Sequence, residues 1–257
     1  CFGTQLRLHA APRLHQRAVP GMYGSGLNKG STDIGHLHLI ALLEYAQTNK
    51  LSVAALFVDI SSAFASMSRE IVNANWNTDQ EFIDTCASKG LDRNKALQFL
   101  ELLHSEPIWN DTVHDQHIRT MIIQMHTHTW SSFEYLSGVI ETYRGCLAGT
   151  PLADMLFCFL MVWFLDITHR DALSEDLIHK LPFEEDNYYG YQKDQVNLEA
   201  HSISFVDDCA FPIIGTSTQI IPKIIRWTQI IQSNATMIGL KLNYKIGKTQ
   251  PIIKLRG

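Results

Sequence analysis

The clearest hydrophobic run in the chain, LSVAALFVDI, covers residues 51–60 and reaches an aspartate near its end. A continuous apolar run with β-branched residues is typical of a strand that is covered on both faces of its sheet. A second run, ISFVDDCAF at 203–211, is almost wholly apolar except for two adjacent aspartates. It predicts two short strands joined by a tight turn, with the acidic pair at the tip. Asp59, Asp207 and Asp208 are therefore expected at strand ends.

Helical periodicity accounts for most of the remaining pattern. The expected helices run roughly over residues 33–49, 69–76, 79–88, 92–104 and 219–238. Thr32 or Asp33 is expected to cap the first of them, and Asp92 the fourth. The last of these helices carries Ile221, Ile224, Ile225 and Ile231 on one side.

A further helix is expected to start at Thr150-Pro151, with Asp154 in its first turn. The other expected elements are a hairpin at 132–144 with a Ser-Gly turn, a polar, acid-rich loop insertion at 170–200, and strands at 240–244 and 251–255. Mixed helices and mainly antiparallel strands favour an α+β fold.

The composition is that of an ordinary globular protein, because 46% of the 257 residues are hydrophobic and 18% are charged. Such a chain forms one large domain or two intermixed subdomains. Its five cysteines form no C-x-x-C pair, which favours reduced, buried thiols in an intracellular protein. The most apolar stretch, residues 152–165, contains Asp154 and is too short to span a bilayer, so no membrane association is expected. Because the sequence opens at a cysteine, we expect a fragment of a longer product.

The net charge of −5 conceals an uneven distribution. Residues 1–32 contain four Lys or Arg and no acid, and residues 209–257 contain seven and again no acid. Basic ends of this kind can line a channel that binds the phosphates of a nucleic acid. Chance clustering is the alternative, and the charge pattern alone does not exclude it.

The acidic pair in ISFVDDCAF indicates metal chemistry. Two adjacent, partly desolvated carboxylates repel each other and take up protons unless a cation compensates them. Hard oxygen ligands favour Mg²⁺ or Mn²⁺. An exposed Asp-Asp turn without a metal is the alternative for the pair alone. With Asp59 as a third acid, the set suits two metal ions that support phosphoryl transfer, although the sequence does not fix the distance from Asp59 to Asp207.

Four stretches in order resemble the palm motifs of the reverse transcriptase domain of non-LTR retrotransposons. They are ALFVDISSAF (55–64), RGCLAGTPLADMLF (144–157), SFVDDCAF (204–211) and GLKLNYKIGKTQ (239–250). YGSGLNKGSTD at 23–33 is similar to the glycine-rich fingers segment that precedes those motifs. The resemblance spans nearly the whole chain.

The resemblance implies the fingers–palm core of a right-hand polymerase, an α+β fold whose antiparallel palm sheet is backed by helices and whose thumb is missing from this sequence. Residues 1–50 are expected to form a fingers-like segment, and residues 51–257 the palm. Within the palm, residues 69–130 are expected to be interleaved fingers elements and residues 170–200 a polar insertion.

The resemblance also implies roles for individual residues. Asp59 and Asp207 match the metal-binding aspartates, with Asp208 as a less direct partner and the carbonyl group of Ile60 beside the first. Phe64 matches the aromatic residue that lies under the sugar and excludes a 2′-hydroxyl. These residues are the expected catalytic, metal and sugar sites.

Two further groups are implied to contact the substrates. Gly149, Thr150 and Pro151 match the turn into a helix beside the template and the incoming nucleotide. Lys248 matches a lysine near the triphosphate that can donate a proton to pyrophosphate. The implied reaction is RNA-templated DNA synthesis with two Mg²⁺ ions, or Mn²⁺, as cofactors. The implied partners are an RNA template, a DNA primer and deoxynucleoside triphosphates, and the implied locations are the cytoplasm and the nucleus.

Three positions depart from the family pattern. Met22 and Ala148 stand where glutamine is usual, and Ala65 stands where an acid often follows the aromatic residue. No metal ligand is lost, but a catalytically decayed palm that acts only as an RNA-binding scaffold remains the alternative function. An RNA-templated RNA polymerase is disfavoured because Phe64 favours deoxynucleotides.

Other classes of site fit the sequence less well. A phospho-accepting receiver domain places its acidic pair before the lone aspartate, whereas Asp59 comes first here. A haloacid-dehalogenase phosphatase needs an acid at the position of Ser61. The histidine pairs with metal-like spacing are His36/His38, His114/His117 and His126/His128. No second pair completes a recognisable zinc pattern, so no zinc is expected.

Overall fold

A computed structural model describes the chain apart from residues 1, 26, 29–30, 74–75, 89–90, 106, 108, 110–111, 133, 136, 147–151, 185–194 and 257. The helices are α1 (Phe2–Arg17), α2 (Thr32–Thr48), α3 (Ala63–Ser66), α4 (Arg69–Asn73), α5 (Asp79–Ser88), α6 (Arg93–Ser105), α7 (Val113–Met125), α8 (Ala153–Ser174) and α9 (Ile220–Met237). The strands are β1 (Met22–Tyr23), β2 (Ser52–Val58), β3 (Thr129–Ser132), β4 (Val139–Thr142), β5 (Lys180–Glu184), β6 (Gln195–Glu199), β7 (Ile203–Phe205), β8 (Asp208–Gly215) and β9 (Gln250–Lys254). This mixture of helices and strands is compatible with the predicted α+β class.

The chain forms two compact units. Unit 1 comprises Cys1–Val19, Ile60–Phe164 and Gln232–Asn243, and unit 2 comprises Pro20–Asp59, Leu165–Ile231 and Tyr244–Gly257. Each unit contains residues from both the expected fingers segment and the expected palm. The assignment of fingers and palm therefore stays a prediction.

The core of unit 2 is a five-stranded sheet in the order β1-β7-β8-β2-β9. β8 is antiparallel to β7 and to β2, and β9 is antiparallel to β2. β1 is parallel to β7, so the sheet is mixed and the expectation of an antiparallel sheet is wrong at this edge. β2 and β8 lie inside the sheet and bury nearly all of their residues, as their continuous apolar runs predict.

α2 packs against β2, β7 and β8 through two apolar clusters. The first contains Leu42, Ala200 and Ile203, and the second contains Ala46, Val53 and Ile214. The helix begins after Ser31, so the expectation that Thr32 or Asp33 caps it is wrong. Thr32 is itself the first helical residue, and Ser31 makes no side-chain capping hydrogen bond.

The glycine-rich segment before α2 holds β1 close to β7. A Cβ atom on Gly21, which has a φ of +84°, would lie 2.1 Å from the carbonyl oxygen of Ser202. A Cβ atom on Gly24, which has a φ of +88°, would lie 2.9 Å from Cγ2 of Val206. Both the left-handed backbone and the close approach require glycine at these two positions.

Residues 170–200, expected to be a polar loop, contain regular structure. α8 continues to Ser174, and β5 pairs with β6 as an antiparallel hairpin in which Lys180 lies opposite Glu199. Residues 185–194 lie outside the described part of the chain. The prediction of a loop is wrong because apolar residues alternate with polar ones in both strands, and Leu181 packs against the first α2 cluster.

α9 buries two of the four isoleucines that the sequence places on one side. Ile221 is 45% exposed and Ile225 is 55% exposed, whereas Ile224 and Ile231 are buried. The buried side continues through Trp227, whose ring centroid lies 5.5 Å from that of Phe211 on β8. Isoleucines occur in adjacent pairs along this helix, so periodicity alone did not distinguish the two sides.

The strand expected at 240–244 does not form within the described residues there. Leu242 makes only an isolated bridge to Ile60. The final strand was expected at 251–255, and β9 occupies nearly the same residues. The capping prediction for Asp92 is confirmed, since its Oδ1 accepts hydrogen bonds from the amides of Asn94 at 2.9 Å and Lys95 at 3.3 Å.

Unit 1 packs around the first half of α8, in which nearly all residues from Ala153 to Phe164 are buried. A helix that is apolar on all sides is expected to be enclosed in this way. Asp154 lies in its first turn, as predicted, and forms an ion pair with Arg7 on α1 at 2.5 Å. The guanidinium group of Arg69 donates to the carbonyl groups of His126, Thr142 and Gly145, which fixes the β3–β4 hairpin. That hairpin begins slightly earlier than the expected range of 132–144.

The described cysteines, Cys86, Cys146, Cys158 and Cys209, are free and buried, as the sequence predicts. None of the helices in the described ranges combines the length and the apolar character needed to cross a bilayer.

Candidate active site

The acidic strand ends meet at the same end of the sheet. Val58 on β2 lies opposite Cys209 on β8. Asp59 follows Val58 and Asp208 precedes Cys209, so these two aspartates occupy neighbouring positions on adjacent strands. Asp207 lies in the turn between β7 and β8, at the predicted hairpin tip. The antiparallel register thus brings Asp59 together with the adjacent pair Asp207 and Asp208, which lies 148 residues further along the chain.

The turn that carries Asp207 has an unusual backbone. Phe205 pairs with Asp208, which leaves Val206 and Asp207 as the turn residues. Val206 has a φ of +61°, a left-handed conformation that a β-branched residue rarely adopts. Strain of this kind costs on the order of 1–3 kcal/mol and persists only where the surrounding structure enforces it. The flanking strands therefore enforce the position of Asp207.

Asp207 is half-buried, and this burial raises the pKa of its carboxyl group. A hydrogen bond from its own backbone amide lowers the pKa, whereas the negative charges of Asp208 and Asp59 raise it. The effect of Asp59 indicates that the two carboxylates are close enough to repel each other. A cation placed among them would relieve this repulsion.

Asp59 contacts two successive residues of the C-terminal segment. The Nζ atom of Lys248 lies 3.0 Å from Oδ1 of Asp59. The hydroxyl group of Thr249 accepts a hydrogen bond from the Asp59 amide at 3.1 Å and donates to the Asp59 carbonyl oxygen at 3.3 Å. The side chain of Asp59 is 26% exposed and that of Lys248 is 49% exposed, so solvent cations can reach the pair.

A cavity of about 380 Å³ adjoins these residues within unit 2. Its walls come from the start of α2, the end of β2, the β7–β8 hairpin and residues 247–250. Asp59, Asp208 and Lys248 are among the residues that line it. The volume lies in the range of about 300–1,000 Å³ that is typical of small-molecule sites.

The donor set suits a divalent cation of the hard class. Asp59, Asp207 and Asp208 offer carboxylate oxygens only, the ligands that Mg²⁺ and Mn²⁺ prefer. Their mutual repulsion, which contributes to the raised pKa of Asp207, is the electrostatic condition that a bound cation removes. The residues present therefore fit the cations that the sequence resemblance implies.

Two of the expected site residues belong to unit 1. Ile60 is buried and bridges Leu242. Phe64 lies on α3 and is partly buried, with its ring centroid 5.1 Å from that of Phe157 on α8. The amide of Cys146 donates to the carbonyl oxygen of Phe64 at 2.9 Å, which holds α3 in place. Gly149, Thr150 and Pro151 lie outside the described residues.

Sequence reasoning missed several residues at this site. The hydroxyl group of Thr249 hydrogen-bonds to both the amide and the carbonyl oxygen of Asp59. His36 and Gln250 line the cavity. The position of Thr249 next to Lys248, in the same motif, is the one signal that could have identified it. The spacing of His36 and His38 is typical of a zinc pair and does not indicate that His36 lines this cavity.

A comparison with models of known protein families finds none that matches the chain, and a comparison with curated proteins finds no significant match. The resemblance to reverse transcriptases therefore depends on the ordered motifs in the sequence.

Proposed function

We propose that this protein catalyses RNA-templated DNA synthesis, as the palm-centred core of a reverse transcriptase of the non-LTR retrotransposon type. The observation that carries the proposal is the register of β2 against β8, which puts Asp59 and Asp208 at neighbouring strand ends. Asp207 in the adjoining turn and Lys248 at 3.0 Å from Asp59 complete the set. The order of the sequence motifs supports the same function.

In this proposal Asp59 and Asp207 hold two Mg²⁺ or Mn²⁺ ions, with Asp208 as a less direct partner. Such ions lower the pKa of an attacking 3′-hydroxyl group and stabilise the charge on the leaving pyrophosphate. The protein's contribution is to hold the carboxylates on a rigid sheet, where they need no reorganisation during the reaction. Burial and the neighbouring negative charges raise the pKa of Asp207. A bound cation would lower this pKa again and so favour the ionised carboxylate.

The two remaining residues are proposed to contact the substrate. Lys248 is proposed to lie near the triphosphate and to donate a proton to pyrophosphate, since its ammonium group is already beside Asp59. Phe64 is proposed to lie beneath the sugar of the incoming nucleotide. The cavity beside Asp59, about 380 Å³ in volume, is large enough to admit part of a nucleotide.

Metal binding and catalysis test this proposal together. Mn²⁺ binding to the purified protein would be measured by titration calorimetry, and nucleotide incorporation on an RNA template with a DNA primer. Asp59→Asn and Asp207→Asn should each weaken Mn²⁺ binding and abolish incorporation, because each removes a metal ligand. The matched control is Asp84→Asn, at an exposed position on α5, which should change neither measurement.

The possible outcomes separate the alternatives. Mn²⁺ binding that neither substitution weakens would overturn the proposed metal site. RNA binding by a protein that does not bind Mn²⁺ would favour the RNA-binding scaffold. Incorporation of ribonucleotides in preference to deoxynucleotides would indicate an RNA polymerase instead.

A further inference from the structure

A second group of metal-ligating side chains lies in unit 2. His169 on α8, Glu199 at the end of β6 and His201 just before β7 place one ligand atom each within 4.8 Å of one another. All three residues are partly buried, and none of them lines the cavity beside Asp59. The group is therefore separate from the carboxylates of the candidate active site.

Direct contacts already join the three side chains. The Nε2 atom of His169 lies 2.7 Å from Oε2 of Glu199. The imidazole rings of His169 and His201 stack with their centroids 4.6 Å apart and an angle of 21° between their planes. Two protonated imidazoles would repel each other in this arrangement, whereas neutral imidazoles, the form that binds metals, would not.

The spacing of the group is close to that of a zinc centre. Zinc bonds of about 2.0–2.2 Å in a tetrahedral arrangement put the ligand atoms roughly 3.4 Å apart. Separations in this group run from 2.7 Å between Nε2 of His169 and Oε2 of Glu199 up to 4.8 Å, so a bound ion requires the ligand atoms to shift by about 1 Å and the stacked imidazole rings to turn toward it. Because each of the three side chains has rotatable bonds, rotation of the side chains can supply this shift without a change in the backbone.

We propose that His169, Glu199 and His201 bind one Zn²⁺ ion. Two imidazoles and one carboxylate are an established zinc ligand set, in which water fills the fourth position. The ion would join α8 to the segment that leads into β7 and the turn carrying Asp207. The sequence contains no local zinc pattern because a long segment separates His169 from Glu199 and His201. The expectation of no zinc considered only neighbouring histidines.

The test uses Zn²⁺ binding by the whole chain after treatment with EDTA. A background variant, Asp59→Asn with Asp207→Asn, removes the carboxylates that could also bind Zn²⁺. It should bind about one Zn²⁺ per chain in competition with a chromogenic chelator, and Co²⁺ should give the intense visible absorption of a tetrahedral site. Zn²⁺ should also raise the melting temperature, since it binds the folded protein.

Substitution of each ligand identifies the site. Zn²⁺ binding should be weakened by at least about tenfold in each of His169→Ala, Glu199→Gln and His201→Ala. The loss of a ligand reduces metal affinity at least as much as the loss of a residue that hydrogen-bonds to a ligand. His15→Ala, at an exposed position on α1, should leave binding unchanged. If an alanine variant has a lower melting temperature in EDTA than the background variant, His169→Gln or His201→Gln is used in its place. Zn²⁺ binding that is unchanged in all three ligand variants, or a wild-type Co²⁺ spectrum without tetrahedral bands, would overturn the proposal.

This experiment does not depend on the proposed polymerase function. The background variant lacks Asp59 and Asp207, so it is inactive if that function is right and still binds Zn²⁺ if this inference is right. Failure of either proposal is therefore recognisable without the other.

Discussion

The Nζ atom of Lys248 lies 3.0 Å from Oδ1 of Asp59, so a protein cation already occupies part of the space around this carboxylate. A divalent ion that binds Asp59 must share the oxygen with the ammonium group or displace it. Both side chains are partly exposed, and an exposed ion pair of this kind contributes only about 0–1 kcal/mol. The pair is therefore weak enough to be exchanged for a metal ion.

Lys248→Gln should increase the affinity for Mn²⁺ by up to about fivefold, because the substitution removes a competing cation worth about 1 kcal/mol at most. Titration calorimetry at constant ionic strength would measure the change. Lys241→Gln removes the same charge from an exposed position in the preceding segment and should have no effect. A Lys248→Gln variant with wild-type or weaker Mn²⁺ affinity would show that the two cations do not compete.

The raised pKa of Asp207 predicts a pH-dependent stability in the absence of divalent cations. A carboxyl group whose pKa is higher in the folded protein favours folding while it is protonated. That contribution is lost as the pH rises through the folded-state pKa. Asp207→Asn, which stays neutral, should therefore melt at a higher temperature than the wild type at neutral pH in EDTA.

The low-pH comparison is the control for this prediction. Below the ordinary aspartate pKa of about 3.9, both side chains are neutral and the two proteins should melt alike. Mn²⁺ at neutral pH should stabilise the wild type more than Asp207→Asn, since it binds the intact carboxylates. An Asp207→Asn variant that is less stable at neutral pH would contradict the assigned electrostatics.

Phe64→Ala should reduce the preference for deoxynucleotides in the proposed reaction. A ribose would drive its 2′-hydroxyl into the apolar ring and lose a hydrogen bond to water, at a cost of about 1–3 kcal/mol. The ratio of deoxynucleotide to ribonucleotide incorporation should therefore fall by about ten- to a hundredfold. Phe157→Leu, which removes the ring that packs against Phe64, should lower stability without changing this ratio. An unchanged ratio in Phe64→Ala would leave this ring a core residue only.

Gly21→Ala should destabilise the protein much more than Gly239→Ala. Both glycines have a φ near the left-handed region, +84° and +80°, but a Cβ atom would meet the Ser202 carbonyl oxygen only at Gly21. Gly239→Ala should cost about 1–2 kcal/mol from the backbone conformation alone. Gly21→Ala adds a clash between main-chain atoms and should exceed about 3 kcal/mol in urea unfolding experiments. If Gly21→Ala and Gly239→Ala lower the free energy of unfolding equally, β1 can move away from β7 at little cost.

The elements that the sequence predicts correctly are those whose pattern indicates one type of secondary structure. The apolar run of β2 and the apolar halves of ISFVDDCAF form strands as predicted, and α5 and α6 lie within a residue of their predicted bounds. The buried side of α9 does not follow from its sequence, because the paired isoleucines give two apolar sides, of which Ile224 and Ile231 mark the buried one. The strand expected at 240–244 does not form, and among its described residues Leu242 makes only an isolated bridge to Ile60.

The candidate site was predicted as far as residue types determine it. Asp59, Asp207 and Asp208 are charged residues in otherwise apolar stretches of sequence, a contrast that is visible without a structure. The hydrogen bonds between Thr249 and Asp59 form because β9 pairs with β2. No local sequence pattern predicts that pairing. The same reason applies to the group of His169, Glu199 and His201, whose members approach only after folding.

The strand order also determines when the site can exist during protein synthesis. Asp59 leaves the ribosome before the other site residues, Asp207 follows 148 residues later, and Lys248 and Thr249 emerge 41 and 42 residues after Asp207. Because chains are synthesised from the N-terminus, β2 has neither β8 nor β9 beside it for most of that time. A nascent chain therefore cannot bring Asp59 to Asp207 and Asp208 before β8 has emerged, and the contacts of Lys248 and Thr249 with Asp59 form later still.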